Sequence, residues 1–316
     1  MRGIGYILAL LVVSAATSCG PCDKHCLCTP DVPLRDIEVL YDWSQAPGAS
    51  PEGMAVLIYD VGTEGMPWRY DLPPAGGYIG VPQDSARAIT YNNDTENLSF
   101  GNTGNYFTGK AYTHEGNLFD GLSETWYGPG PESRADTDQR VLVQPDPLWL
   151  YSTDGLVVND STALFRPVAV VARYNYLITG IKGLEGMARM CAAVTGLAGE
   201  IYLAGAIKGN EAVTVPGALQ QTSADSASGA LYTWGCVDNQ QSRCRLQLFF
   251  WLTDGKKYCY DFDVTRQVRE ADDPLDVKIT VNGITLPEPD NSGPGGEGGI
   301  GVDVDNWETV EIELSN

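Results

Sequence analysis

Eight cysteines, two histidines and forty-one carboxylates are the groups from which this 316-residue chain could build chemistry. Cys236 and Cys244 flank Val237-Asp238-Asn239-Gln240-Gln241-Ser242-Arg243, a polar loop between two apolar runs. In a hairpin the two would face each other across the strands at disulfide distance. Cys22, Cys26 and Cys28 cluster around His25, and thiolate and imidazole are zinc ligands. Their spacing fits no standard zinc knuckle, so local disulfides or adventitious thiols are the simpler reading. With His25 in that segment, a Ser-His-Asp or Cys-His arrangement would depend on His114 alone. His114 stands beside Glu115 and Gly116 in a polar stretch that reads as a solvated loop. A glycosidase-type carboxylate pair does not stand out where Asp and Glu are spread along the whole chain. Asp303-Val304-Asp305-Asn306 gathers oxygens that suit calcium, yet it lacks the glycine turn and bidentate Glu spacing of the EF-hand loop. Surface carboxylates on a strand are the better reading. The sequence therefore predicts no enzyme, no catalytic residue, no cofactor and no metal.

A different cysteine chemistry is set up at the start of the chain. After Met1 and Arg2 the sequence is apolar from Ile4 to Val13, then small through Ser14-Ala15-Ala16-Thr17-Ser18 up to Cys19. An apolar core of about ten residues is too short for the ~20 that span a bilayer as a helix, which predicts an export signal over residues 1–18 that is removed. Small residues directly before a cysteine resemble a bacterial lipobox, in which the cysteine becomes the acylated first residue of the mature chain. Ala16 stands where such motifs usually carry Leu or Val, and the plainer alternative is an ordinary cleaved signal followed by an unrelated cysteine. Several acyl chains on Cys19 would hold the protein to lipid far more firmly than one myristoyl group. Residues 19–34 then form a Cys-rich tether.

The formal net charge is −21, and −22 once Arg2 leaves with the signal. Such a surface repels nucleic acid and anionic lipid, which argues against both as partners of the folded part. Sixteen Tyr, seven Trp and a 43% hydrophobic fraction argue against disorder. The cysteine content suits an oxidising compartment.

Period-two alternation dominates the sequence. Ile37, Val39, Tyr41 and Trp43 alternate with Asp36, Glu38, Leu40 and Asp42, and Met54 to Tyr59 is apolar on both faces, as in a central strand. Short runs recur at 78–81, 88–91, 141–143 and 156–158, separated by turn formers such as Asn92-Asn93-Asp94 and Pro129-Gly130-Pro131. A second series opens with Val168, Val170, Ala172, Tyr174, Tyr176 and Ile178 on one face of a long strand, and continues at 201–203, 246–252, 258–264 and 277–281. The one helical candidate is 186–195, through Met187, Met190 and Val194. These signals predict an all-β protein of two sandwiches, residues 35–160 and 161–316, with the boundary within 155–165.

The end of the chain is organised differently. Residues 287–299 form a Gly/Pro-rich linker with no means of packing. Within 300–314, Ile300, Val302 and Val304 alternate, the phase slips near Asn306-Trp307, and Val310, Ile312 and Leu314 alternate again. Each such residue, once buried, contributes on the order of 1.5 kcal/mol before ordering costs. This amphipathic strand either closes the chain's own second sheet or pairs with a neighbour's sheet edge. The second reading makes Val302, Val304, Trp307, Val310, Ile312 and Leu314 a strand-exchange element.

Three stretches of the first half carry a family resemblance: Tyr41-Asp42-Trp43, Gly53-Met54-Ala55-Val56-Leu57-Ile58-Tyr59 and Tyr91-Asn92-Asn93-Asp94-Thr95-Glu96. The second half adds Val194-Thr195-Gly196-Leu197-Ala198-Gly199, Tyr260-Asp261-Phe262-Asp263-Val264-Thr265, Asp276-Val277-Lys278-Ile279 and the strand containing Trp307. Together they resemble the minor fimbrial, anchor-type lipoproteins of Bacteroidales type V pili. The resemblance implies two transthyretin-like β-sandwich domains in tandem and an outer-membrane lipoprotein at the cell surface. It further implies fimbrial subunits and membrane lipid as partners, and a role in anchoring or ending a fimbria. Asp84-Ser85-Ala86, Asp160-Ser161-Thr162 and Asp225-Ser226-Ala227 also resemble the Bacteroidales O-glycosylation pattern, with Ser85, Ser161 and Ser226 as acceptors; the plainer alternative is unmodified loops. The rival function is glycan binding by an accessory lipoprotein of a polysaccharide-uptake system, through Trp68, Tyr70, Trp126, Tyr127 and Trp149. A platform of exposed aromatics would favour it.

Overall fold

Strands form wherever the alternation runs, and the computed structural model describes residues 33–61, 65–83, 85–119, 139–239, 242–289 and 307–312. The first series comprises β1 (Leu34–Tyr41), β2 (Met54–Asp60), β3 (Trp68–Leu72), β4 (Gly77–Pro82), β5 (Ala86–Asn92), β6 (Leu98–Gly101), β7 (Lys110–Thr113), β8 (Trp149–Thr153), β9 (Thr162–Phe165) and β10 (Val168–Ala169). The second comprises β11 (Ala172–Thr179), β12 (Met187–Ala198), β13 (Glu200–Tyr202), β14 (Ile207–Lys208), β15 (Ala212–Ala218), β16 (Gln220–Ser223), β17 (Ser226–Thr233), β18 (Arg245–Leu252), β19 (Lys257–Asp263), β20 (Asp276–Asn282) and β21 (Trp307–Ile312). One short helix, α1 (Thr265–Arg269), follows β19. No helix among the described residues is long and apolar enough to cross a membrane. The protein is all-β, as its alternation predicts.

The first half is built in layers. A sheet of order β4-β1-β9 faces one of order β10-β8-β5-β2-β3 across Ile37, Val39, Val56, Ile58, Ile79 and Phe165. The other face of the five-stranded sheet presents Leu57, Tyr59, Ile89, Tyr91 and Leu150 to a third sheet, β14-β13-β7-β6. Layers on both sides explain why Met54 through Tyr59 are all buried. The third sheet draws β6 and β7 from the first series and β13 and β14 from the second, with Ala111 of β7 opposite Ile201 of β13. One sheet thus stitches the two halves together.

In the second half the sheet β16-β17-β11-β20 packs on β15-β12-β18-β19-β21 around Tyr174, Tyr176, Leu246, Phe250, Phe262 and Ile279. Three local expectations are corrected. Residues 187–198 are strand, paired by β15 and β18 on its two sides. Cys191 and Ala193 pack on the sheet's outer face while Ala192 and Val194 fill the core, so tertiary pairing overrides the helical spacing of the methionines. Val168 to Ile178 is not one strand: β10 pairs with β8 of the first half, and β11 with β17 and β20 of the second. Leu156 and Val158 pack on the first core outside any strand. The chain passes between the sandwiches after Ala169, and β9 lies parallel to β1, so residues 162–169 complete the first half.

Gly196 (φ +75°) sits where the β12–β15 register shifts, and a Cβ there would come within 2.1 Å of the Arg243 carbonyl oxygen. Only glycine fits that bulge.

Candidate functional site

The edge that carries β21 is built in an ordered way. β19 runs antiparallel to β18, Leu248 opposite Tyr260, and β21 then lies parallel to β19 as the outermost strand. Lys257, Tyr260 and Phe262 stand opposite Trp307, Val310 and Ile312 in register. Val310 is half-buried against the second core. Parallel pairing requires a crossover, and the chain makes it through β20, which lies in the opposite sheet.

The departure point of that crossover is fixed. The Lys182 N–H donates to the Ile284 carbonyl at 2.8 Å and the Leu286 N–H to the Lys182 carbonyl at 2.9 Å. The Tyr260 hydroxyl donates to the Thr285 carbonyl at 2.6 Å. Ile284 and Leu286 are buried in the core. Held firmly through Leu286, the chain reaches β21 only after residues 290–306, which are not among the described residues. β19 is therefore the neighbour of a strand whose other edge pairs with no strand among the described residues. Val302, Val304 and Leu314, the rest of the expected stripe, lie outside the described residues, as does Cys19, and likewise Cys22, His25, Cys26, Cys28 and Asp303 to Asn306.

Cys236 and Cys244 are joined as a disulfide, Cα atoms 6.3 Å apart. They do not face each other across a hairpin, because β17 and β18 belong to different sheets; the bridge closes the loop that carries the chain from one sheet to the other. That loop is tied down on three sides. The Cys236 N–H donates to the Tyr174 hydroxyl at 3.2 Å, the Val237 N–H to the Gly196 carbonyl at 3.1 Å, and the Cys244 N–H to the Thr265 hydroxyl at 2.9 Å. Burial pushes the Tyr174 phenol up to about 12, so at neutral pH it stays protonated. Cys191 is buried on the outer face of the β12 sheet, where burial raises its thiol pKa and keeps it inert.

Over residues 21–217 the sequence matches the family model DUF5119, a domain of unknown function. The chain belongs to the DUF5119 family. No curated protein matches it. Among solved structures, one from Bacteroides ovatus, described as that of a candidate adhesin, aligns with a TM-score of 0.64 at 19% identity, covering 82% of this chain and 94% of its own. The fimbrial anchor protein Mfa2 from Porphyromonas gingivalis aligns with a TM-score of 0.51 at 9% identity, covering 79% and 91%. A second candidate adhesin from Bacteroides ovatus gives 0.50 at 12% identity, covering 83% and 91%. The DUF5119 chain thus shares the fold of an anchor-type fimbrial protein, in line with the resemblance seen in its sequence.

The remaining expected residues are scattered over this DUF5119 fold. Ser85 is exposed just before β5, and Ser161 is exposed in a turn at φ +65° after Asp160 at φ +46°. Ser226 opens β17 half-buried, its hydroxyl donating to the Asp225 carboxylate at 3.1 Å. Hydrogen bonds from the Ser223 and Ser226 side chains hold the Asp225 carboxyl below the usual aspartate range. Trp68 and Tyr70 pack half-buried on the first core, Trp149 is half-buried, and Trp126 and Tyr127 lie outside the described residues. Those described make no exposed platform. Among the described residues the exposed aromatic residues are instead Tyr78, Phe107 and Tyr232, none of which the sequence analysis proposed for binding. His114 is exposed.

Proposed function

We propose that this is a non-catalytic outer-membrane lipoprotein that couples a surface fibre to the membrane, as a fimbrial anchor or minor fimbrial subunit. The observation that carries the reading is β21: an edge strand with β19 as its neighbour, reached only after the chain has been held at Leu286. The shared fold with Mfa2 supports it. Acylated Cys19 holds the outer membrane, the stitched sandwiches act as a spacer, and a fimbrial subunit pairs through main-chain hydrogen bonds, either with the outer edge of β21 or with β19 once β21 swings away.

Truncation after Pro287 tests the coupling. Fibres should detach while the remaining protein stays folded and membrane-bound; a truncated protein that still retains fibres would sink the reading, and one that unfolds globally would make β21 part of the core. Cys19→Ala should release the protein from the membrane fraction. The intact mass of the mature protein reads the acyl chains on Cys19, together with any sugar on Ser85, Ser161 or Ser226. A bare polypeptide mass would remove both assignments.

A further inference from the structure

At the end of the layer between the first half's central sheet and the shared sheet, a cavity of about 640 Å³ opens to solvent. Its size is that of a small-ligand site. Arg87 of β5, opposite Tyr59 in register, lines it on the face that also carries Ile89 and Tyr91. The guanidinium carbon lies 4.9 Å from the ring centre of Phe107 and 5.7 Å from that of Tyr106. Nε is covered without a hydrogen-bond partner, and no carboxylate among the described residues pairs with the group. In a chain with twice as many acids as bases, a positive charge left without a carboxylate is conspicuous.

The loop opposite is held in place to present its ring. The Asn105 side-chain oxygen accepts the N–H groups of Phe107 at 2.9 Å and Thr108 at 3.3 Å, its carbonyl accepts the Gly109 N–H at 3.0 Å, and the Tyr59 hydroxyl donates to the Thr103 carbonyl at 2.8 Å. Phe107 nonetheless remains 61% exposed. Interior order without interior burial is what a ready-made contact surface needs. Among the described residues no unpaired strand edge runs through the cavity, because β2 lies between β3 and β5, and β5 between β2 and β8. Strand addition of a peptide is therefore unavailable, and recognition falls to side chains: the Arg87 guanidinium, the Phe107 ring face and the Asn105 amide nitrogen, with the Asp60 carboxylate also in the lining.

We propose that this cavity binds a uronic acid residue of an anionic polysaccharide. The sugar ring stacks on Phe107, its carboxylate supplies the counter-charge to Arg87, and a hydroxyl accepts from Asn105. This site is independent of β21 and of the aromatic residues weighed from the sequence. Calorimetric titration of the full mature chain with trigalacturonate, galactotriose and a glutamate-rich peptide tests it. Trigalacturonate should bind at least tenfold more tightly than galactotriose. Arg87→Gln should erase that preference, and Phe107→Ala should weaken the acid at least fivefold with an unchanged unfolding midpoint. Because Phe107 is exposed, that second variant keeps the test decisive if Arg87→Gln fails to fold. The proposal is overturned if trigalacturonate does not bind at millimolar concentration, if the foldable variants bind as the parent does, or if the peptide binds in place of the sugars.

Discussion

β2 and β21 are both short strands, one apolar on both faces and one amphipathic, and the structure treats them in opposite ways. β2 has a strand on each side and a layer on each face, so Met54 through Tyr59 are buried. β21 has β19 on one side, and its Val310 is only half-buried. Composition and neighbours thus agree: the strand apolar on both faces is enclosed, and the amphipathic one lies at an edge. A strand closed in on four sides cannot leave without dismantling two cores, whereas an edge strand exchanges one row of hydrogen bonds for another.

The most severe test of the contrast is Ile58→Ala in β2, where the side chain is fully buried. Urea denaturation should register a loss of about 2–5 kcal/mol; a cost smaller than that of deleting β21 would collapse the comparison. Replacing Cys236 and Cys244 together by Ser should cost about 2–3 kcal/mol, from the loop-closure entropy of so short a loop. Thermal unfolding would read this, and an unchanged midpoint under oxidising conditions would mean that the hydrogen bonds from the loop suffice without the bridge. Removing β21 by truncation after Pro287 should cost less, about 1–2 kcal/mol for the partial burial it gives up. Hydrogen exchange should then speed up at the β19 amides and stay slow in β2. Matching changes in the two strands would mean that edge and interior unfold together.

The smallest effect is expected at Asp263, at the end of β19. Burial raises its pKa, but the hydroxyl and N–H of Thr265 and the guanidinium of Arg243 outweigh that and hold it below the usual aspartate range. A carboxyl lowered in the folded state adds stability above its unfolded pKa of about 3.9, and that stability is lost as pH falls through the folded value. Asp263→Asn should therefore cost under about 1 kcal/mol at pH 7, given solvent screening of the pair with Arg243. Denaturation near pH 2 should show no difference from the parent; a difference that persists there would trace to packing rather than charge.

Alternation made the strands legible where one face is wet, as in Asp276-Val277-Lys278-Ile279, whose burial alternates without a break. It failed where both faces are covered: 187–198 offered no polar phase to follow, and three methionine-and-valine positions mimicked a helix. The run from Val168 to Ile178 kept one phase across a change of sheet, because the residues between β10 and β11 continue the pattern while their pairing partners change. The pairing of Cys236 with Cys244 was legible from spacing, but its setting was not, since nothing in a polar loop says whether its flanking strands share a sheet. Arg87 and Phe107 gave no signal either. One is a single charge in an otherwise apolar strand and the other an aromatic residue in a Gly/Asn-rich loop, and their meeting depends on tertiary structure.

The shared sheet also constrains the order in which the molecule can be completed. β7 leaves the ribosome well ahead of β13, the strand that pairs with it. Until residues 198–237 follow, Leu57, Tyr59, Ile89 and Tyr91 lack the cover that Ile201, Leu203, Trp234 and Val237 later supply. A nascent first half is thus an unfinished surface, sticky on one side and exposed to its own siblings until the rest of the chain follows. Residues 33–169 made alone should gather into soluble aggregates rather than a stable monomer, and a holding chaperone would have its work concentrated in that interval.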